Sequence, residues 1–94
     1  MAVVYIQEFA IADRSTTNYD FVADKVGDGP FDGLIAHTAG FDDDAGVFRI
    51  LDVWESRERF DAFAQDQIGP LTAQAGLQEP RMEFFDVHNT LTAP

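Results

Sequence analysis

Cysteine is absent from the 94-residue chain, which removes disulfides, a thiol nucleophile and thiolate metal ligation at once. That composition suits a reducing compartment. Basic residues are scarce too: six Lys and Arg stand against seventeen Asp and Glu, a formal net charge of −11. Such a chain repels phosphate backbones and anionic lipid surfaces, so nucleic acid is excluded as a partner. No apolar run approaches membrane-spanning length, and the first nine residues, Met1 to Phe9, lack the basic start and cleavage site of a secretion signal. The expectation is a soluble, cytoplasmic protein. With two histidines, no His/Glu cluster at zinc spacing, no nucleophile elbow and no phosphate loop, neither a metal nor a cofactor is expected.

What the chain does have is apolar material, 46% of its residues including nine Phe. At this length it reads as one domain, residues 1–94, burying roughly 60 to 70% of the surface of the unfolded chain. Val3 to Phe9 is β-branched and aromatic, the composition of a strand. Thr17 is placed to cap a helix, with Asp20 three residues on, and Tyr19, Val22, Ala23 and Val26 form its apolar stripe before Gly27. Leu34 to Phe41 and Val47 to Trp54 are strands around a loop, Asp42-Asp43-Asp44-Ala45-Gly46. Ser56 then caps a second helix carrying Phe60, Phe63, Ala64 and Ile68, which Gly69-Pro70 interrupts. A short helical segment, Leu71 to Ala75, precedes Gly76, and Met82 to His88 is the last strand.

The order β-α-β-β-α-β predicts an α+β ferredoxin-like fold: a four-stranded antiparallel sheet with two helices on one face. If Phe41 lies opposite Val47, then Ile35, His37, Ala39, Arg49, Leu51 and Val53 share one face, and Leu34, Ala36, Phe48, Ile50 and Trp54 the other. Both faces are mostly apolar, so the face without helices needs a further layer. A second copy of the same sheet is the simplest one, and a homodimer is expected.

The strand ending Val53-Trp54-Glu55-Ser56 and the helix with Arg59-Phe60-Asp61-Ala62-Phe63 resemble the dimeric α/β-barrel superfamily, particularly its antibiotic biosynthesis monooxygenase branch. The resemblance covers nearly the whole chain. It implies a homodimer whose two sheets form a barrel, with a small-molecule cavity between sheet and helices in each subunit. Haem-degrading relatives carry a Trp in the second helix and a His about one helix further on. Here Phe63 and roughly Ala73 stand at those places, so the resemblance points to the cofactor-free monooxygenases.

His37 is the catalytic candidate, because imidazole titrates near neutrality and takes protons from phenols and activated carbon acids. Its alternative is a hydrogen-bonded core or interface histidine, satisfied by a neighbour such as Arg49. Trp54 and Tyr5 are the substrate-binding candidates, as an aromatic wall with one N–H donor and as a phenol that orients a substrate oxygen. Plain packing is the weightier reading of each. His88 and Asp86 carry less, and His37 and His88 belong to opposite edge strands. Asp42-Asp43-Asp44 reads as a solvated turn, since an EF-hand loop needs glycine sixth and glutamate twelfth. Two functions follow from these residues: a cofactor-independent monooxygenase-like protein for a small aromatic or apolar metabolite, or a non-catalytic ligand-binding or structural barrel.

Overall fold

The structure, a computed structural model, describes residues 1–10, 16–75 and 80–91. Its elements run β1 (Val3–Ala10), α1 (Thr17–Val26), β2 (Leu34–Asp42), β3 (Val47–Trp54), α2 (Arg57–Phe63), a π-helical segment (Ala64–Ile68), α3 (Gly69–Ala75) and β4 (Arg81–Asp86). The strands form one antiparallel sheet in the order β2-β3-β1-β4. This is the ferredoxin-like arrangement expected from the sequence.

Local chemistry explains the helix ends. The Ser56 hydroxyl accepts the Arg59 N–H at 3.2 Å, satisfying one of the donors that a helix start leaves open. At α1 the cap position falls on Thr16, one residue before the expected Thr17, and the Thr16 hydroxyl donates to the Asp20 carboxylate at 2.7 Å. Gly27 ends α1 at φ +79°, and its N–H reaches back to the Ala23 carbonyl. Gly69-Pro70 does not break the second helical layer. Pro70 has no N–H and its ring crowds the carbonyl four residues back, so the helix widens ahead of it, and the Gly69 N–H bonds the Ala64 carbonyl in the longer π pattern. Gly76 lies outside the described residues.

The core sits at one end of the sheet. Val3, Tyr5 and Trp54 pack beneath Phe60 of α2, with Phe31, Leu34 and Phe63 around them. Tyr5 stacks on Phe60 at 3.7 Å between ring centroids, and Trp54 meets Phe60 edge-on at 5.7 Å. At the other end, Phe48 is buried between Tyr19 of α1 and Phe41. The opposite, outer face carries Val4, Ile6, Leu51, Val53 and Phe85, and no described helix covers it. Phe85 is 54% exposed and Leu51 36%.

One irregularity decides which side chains meet. Leu34 pairs with Trp54, but a bulge at Ile35 shifts the register by one, so that Ala36 pairs with Val53, His37 with Asp52 and Phe41 with Phe48. The expected pairing of Phe41 with Val47 is therefore corrected. Asp42 pairs with Val47 instead, and the loop shortens to four residues, with the Asp42 carboxylate accepting the Ala45 N–H and Gly46 at φ +70°. His37 and Ala39 accordingly leave the face of Arg49 and Leu51 for the helix-covered face of Phe48, Ile50, Asp52 and Trp54.

Candidate functional site

Across the middle of the helix-covered face, register places Phe84 of β4, Tyr5 of β1, Asp52 of β3 and His37 of β2 in one row. Asp52 is 6% exposed, the one buried charged residue among those described. A carboxylate taken out of water needs partners, and Asp52 has two. One oxygen lies 2.5 Å from His37 Nδ1, and the other accepts the Trp54 indole N–H at 3.3 Å. The other ring nitrogen, His37 Nε2, lies 2.6 Å from the Tyr19 hydroxyl. Four residues from β3, β2 and α1 thus form one chain: Trp54, Asp52, His37, Tyr19.

The protonation pattern follows from what each group can do. A carboxylate only accepts, so the Nδ1 edge donates to Asp52; in the neutral imidazole Nε2 then carries the lone pair and accepts from the Tyr19 O–H. The hydrogen bond to Asp52 raises the His37 pKa above that of an ordinary histidine, against the opposing effect of partial burial. Burial, and after it the charges of Asp52 and Asp20, raise the Tyr19 phenol above its ordinary value, so Tyr19 holds its proton. The His37 side chain remains 38% exposed. The constellation is an oriented imidazole of raised basicity, backed by a buried carboxylate at one nitrogen and by a phenol at the other, an arrangement able to hold or pass on a proton.

The residues singled out in the sequence are distributed as follows. His37 is at the centre of this chain, and the partner suggested for it, Arg49, lies on the outer face between Glu8 at 3.3 Å and Asp42 at 2.6 Å. The register shift is the reason: residues 37 and 49 point to opposite sides of the sheet. Trp54, 1% exposed, turns its N–H to Asp52 and packs its rings against Phe60 and Phe63. Tyr5 is buried, stacked on Phe60, with its hydroxyl directed to the Met82 sulfur at 4.0 Å. Burial is also the main reason its pKa is raised. Asp86 and His88 are exposed at the far edge, remote from His37. Asp42 is occupied by Arg49 and by the turn.

Two members of the chain were not singled out as site residues, Asp52 and Tyr19. Asp52 had a visible signal, an acid in an otherwise apolar stretch two residues before Trp54 and so on the same face. Tyr19 had none beyond its place in the stripe of α1. An open depression at Thr38, Gly40, Phe41, Asp42 and Arg49 lies at the hairpin end, away from His37. Among the described residues, no three His, Asp or Glu side chains converge as metal ligands would.

No protein-family model matches the sequence, and no curated protein matches it. Solved structures do. The Mycobacterium tuberculosis protein Rv0793 superposes with a TM-score of 0.72 at 15% identity, over 98% of this chain and 100% of its own. The cofactor-independent oxygenase SnoaB of Streptomyces nogalater, in a mutant form, gives 0.67 at 20% identity over 98% of both chains. A Streptomyces coelicolor monooxygenase from the gene ActVA-Orf6, solved with the ligand nanaomycin D, gives 0.66 at 18% identity over 99% and 93%. The chain has the fold of the antibiotic biosynthesis monooxygenase-like proteins.

Proposed function

We propose that this protein is a cofactor-independent monooxygenase-like enzyme for a small aromatic or otherwise largely apolar metabolite, with His37 as its base. The observation that carries the reading is the Asp52–His37–Tyr19 chain, held on the helix-covered face of a fold shared with oxygenases. Asp52 fixes the imidazole tautomer and stabilises the imidazolium once the proton has arrived. Trp54 acts through Asp52, holding its second oxygen. A substrate with an acidic phenolic or benzylic proton becomes an electron-rich anion on losing it. That anion passes one electron to O2, and recombination of the substrate radical with superoxide forms the new C–O bond of a peroxide anion. The imidazolium returns its proton to that anion, which restores the base, and the hydroperoxide loses water, taking the remaining hydrogen from the same carbon, to leave a carbonyl. In this scheme the protein supplies a base, orientation and a dry surface.

The same reading makes the working unit a cytoplasmic homodimer. Val4, Ile6, Leu51, Val53 and Phe85 form an apolar outer face that a second sheet would cover. No described helix is long and apolar enough to cross a membrane.

Oxygen uptake with anthrone, without added cofactor and corrected for uncatalysed oxidation, tests the reading. The wild-type protein should accelerate uptake, and His37→Ala should lower the acceleration by about 10²-fold with the mass in solution unchanged. Full turnover in the variant removes His37 as the base. A second reading has its own support: Trp54 is enclosed and Tyr5 lies flat on Phe60, so the space beneath Trp54 is filled by the protein itself. That packing favours a non-catalytic ligand-binding or structural barrel, and binding of anthrone-like molecules without oxygen uptake would establish it.

A further inference from the structure

Both nitrogens of His37 are engaged, Nδ1 with Asp52 at 2.5 Å and Nε2 with Tyr19 at 2.6 Å. A substrate proton therefore has no direct approach to the lone pair of the base unless Tyr19 is displaced. Tyr19 is not loosely placed. Its ring leans on the buried Phe48 at 5.3 Å between centroids, and it stands one residue before Asp20, whose carboxylate is tied to Thr16. While the hydroxyl donates its hydrogen to Nε2, its oxygen still has a lone pair on the side away from the imidazole.

We propose that Tyr19 is the catalytic residue that meets the substrate, receiving its proton on the phenolic oxygen while passing its own proton to His37. The inference rests on His37 serving as the base. The bookkeeping is closed: the substrate O–H or C–H bond breaks, a new O–H bond forms on Tyr19, the former Tyr19 O–H breaks, and an N–H bond forms at His37 Nε2. The substrate is left as the anion, Tyr19 is again a neutral phenol, and the positive imidazolium lies against Asp52. No other reactant is needed. Tyr19 cannot be the place where the charge rests, because burial and the charges of Asp52 and Asp20 disfavour its phenolate. Passing a proton while remaining neutral is what such a phenol does best. The substrate class narrows accordingly, to molecules whose acidic hydrogen sits on an edge that can reach a phenol at the sheet surface, such as phenols, enols and anthrones.

The test uses the full chain as wild type, Tyr19→Phe, His37→Gln and the double variant, with p-nitrophenol as probe below its own pKa and anthrone as substrate. Phe keeps the ring against Phe48, so the fold and probe binding should survive, checked by circular dichroism and titration. Wild-type protein should bind p-nitrophenol with an enlarged phenolate absorption band. Tyr19→Phe should bind it as the neutral phenol, lower kcat for oxygen uptake by about 10²-fold with KM little changed, and be no further impaired by adding His37→Gln, as members of one relay behave. A purely structural tyrosine would leave the ionisation of the bound probe unchanged. If Tyr19→Phe keeps both the phenolate band and turnover, His37 takes the proton directly and the proposal falls alone. If wild-type protein binds the probe with no gain in phenolate, the base reading falls and takes the relay with it.

Discussion

His37 shows how little the identity of a residue says until its neighbours are known. A histidine on a mostly apolar strand is as compatible with packing as with chemistry; one that touches a buried carboxylate with one nitrogen and a phenol with the other has the partners that the proposed base requires. Its raised pKa has two consequences of defined sign. With His37 as the proposed base, turnover would need the neutral imidazole, so anthrone oxidation should rise with pH through a midpoint above about 6.5, the ordinary histidine value. Folding stability should move the other way: the contribution from His37 is complete below about 6.5 and is lost as pH climbs through the higher pKa of the folded state. Thermal melts of wild type and His37→Gln across that window check it, the difference in melting temperature shrinking as pH rises. Asp52→Asn tests the same pair. An amide N–H facing Nδ1 favours the wrong tautomer, so turnover should fall by about 10²-fold while the fold persists. Trp54→Phe removes the donor to the second Asp52 oxygen and some volume from an enclosed site. We expect a loss of about 1 to 2 kcal/mol in chemical denaturation.

Among the elements, the turn that leads into β2 is the most tightly constrained. Gly33 has φ +88°, and a Cβ there would stand 2.6 Å from the Arg59 Cβ of α2. Its carbonyl also accepts the Glu55 N–H at 2.7 Å, and the neighbouring Asp32 pairs with the Arg59 guanidinium. This joint locks the entry of β2 to the exit of β3, at the end where the bulge at Ile35 sets the register. Gly33→Ala should therefore destabilise by about 1 to 3 kcal/mol, measured by urea denaturation. It should also lower turnover in the population that remains folded, since His37 lies just beyond the bulge. Unchanged stability would mean that α2 gives way easily, and that the joint does not hold the bulge.

For the molecule as a whole, the unequal faces of the sheet are the leading fact. One face is covered by α1 and α2; the other presents Leu51, Phe85 and their apolar neighbours beside a polar row in which Glu8 bridges Arg49 and Arg81. Light scattering at micromolar concentration should give about twice the mass of one chain. Leu51→Asp, which places a charge in the centre of that face, should shift the population to monomer. A wild-type monomer under the same conditions would leave the outer face without its proposed cover. The high negative charge should keep either form soluble.

The succession of strands and helices was legible in the chain because it depends on local periodicity, caps and turn residues: Ser56 and Gly27 do in the structure what their types and positions foretell. The ferredoxin-like order then followed from short connections between those elements. Register was not legible. The side-chain period along a strand is two, so a single inserted residue at Ile35 moves His37 from the side of Leu51 to the side of Asp52. Nothing in the types Leu34, Ile35 and Ala36 announces a bulge. It exists because Gly33 and Leu34 are tied to Glu55 and Trp54 at one end, while a four-residue turn closes the hairpin at the other, and the two constraints differ by one residue. Sequence alone determined which groups were present and which elements carry them. Tertiary structure decided that His37, Asp52, Trp54 and Tyr19 form one chain, because the contacts of His37 with Asp52 and with Tyr19, 15 and 18 positions away, depend on where three separate elements come to rest.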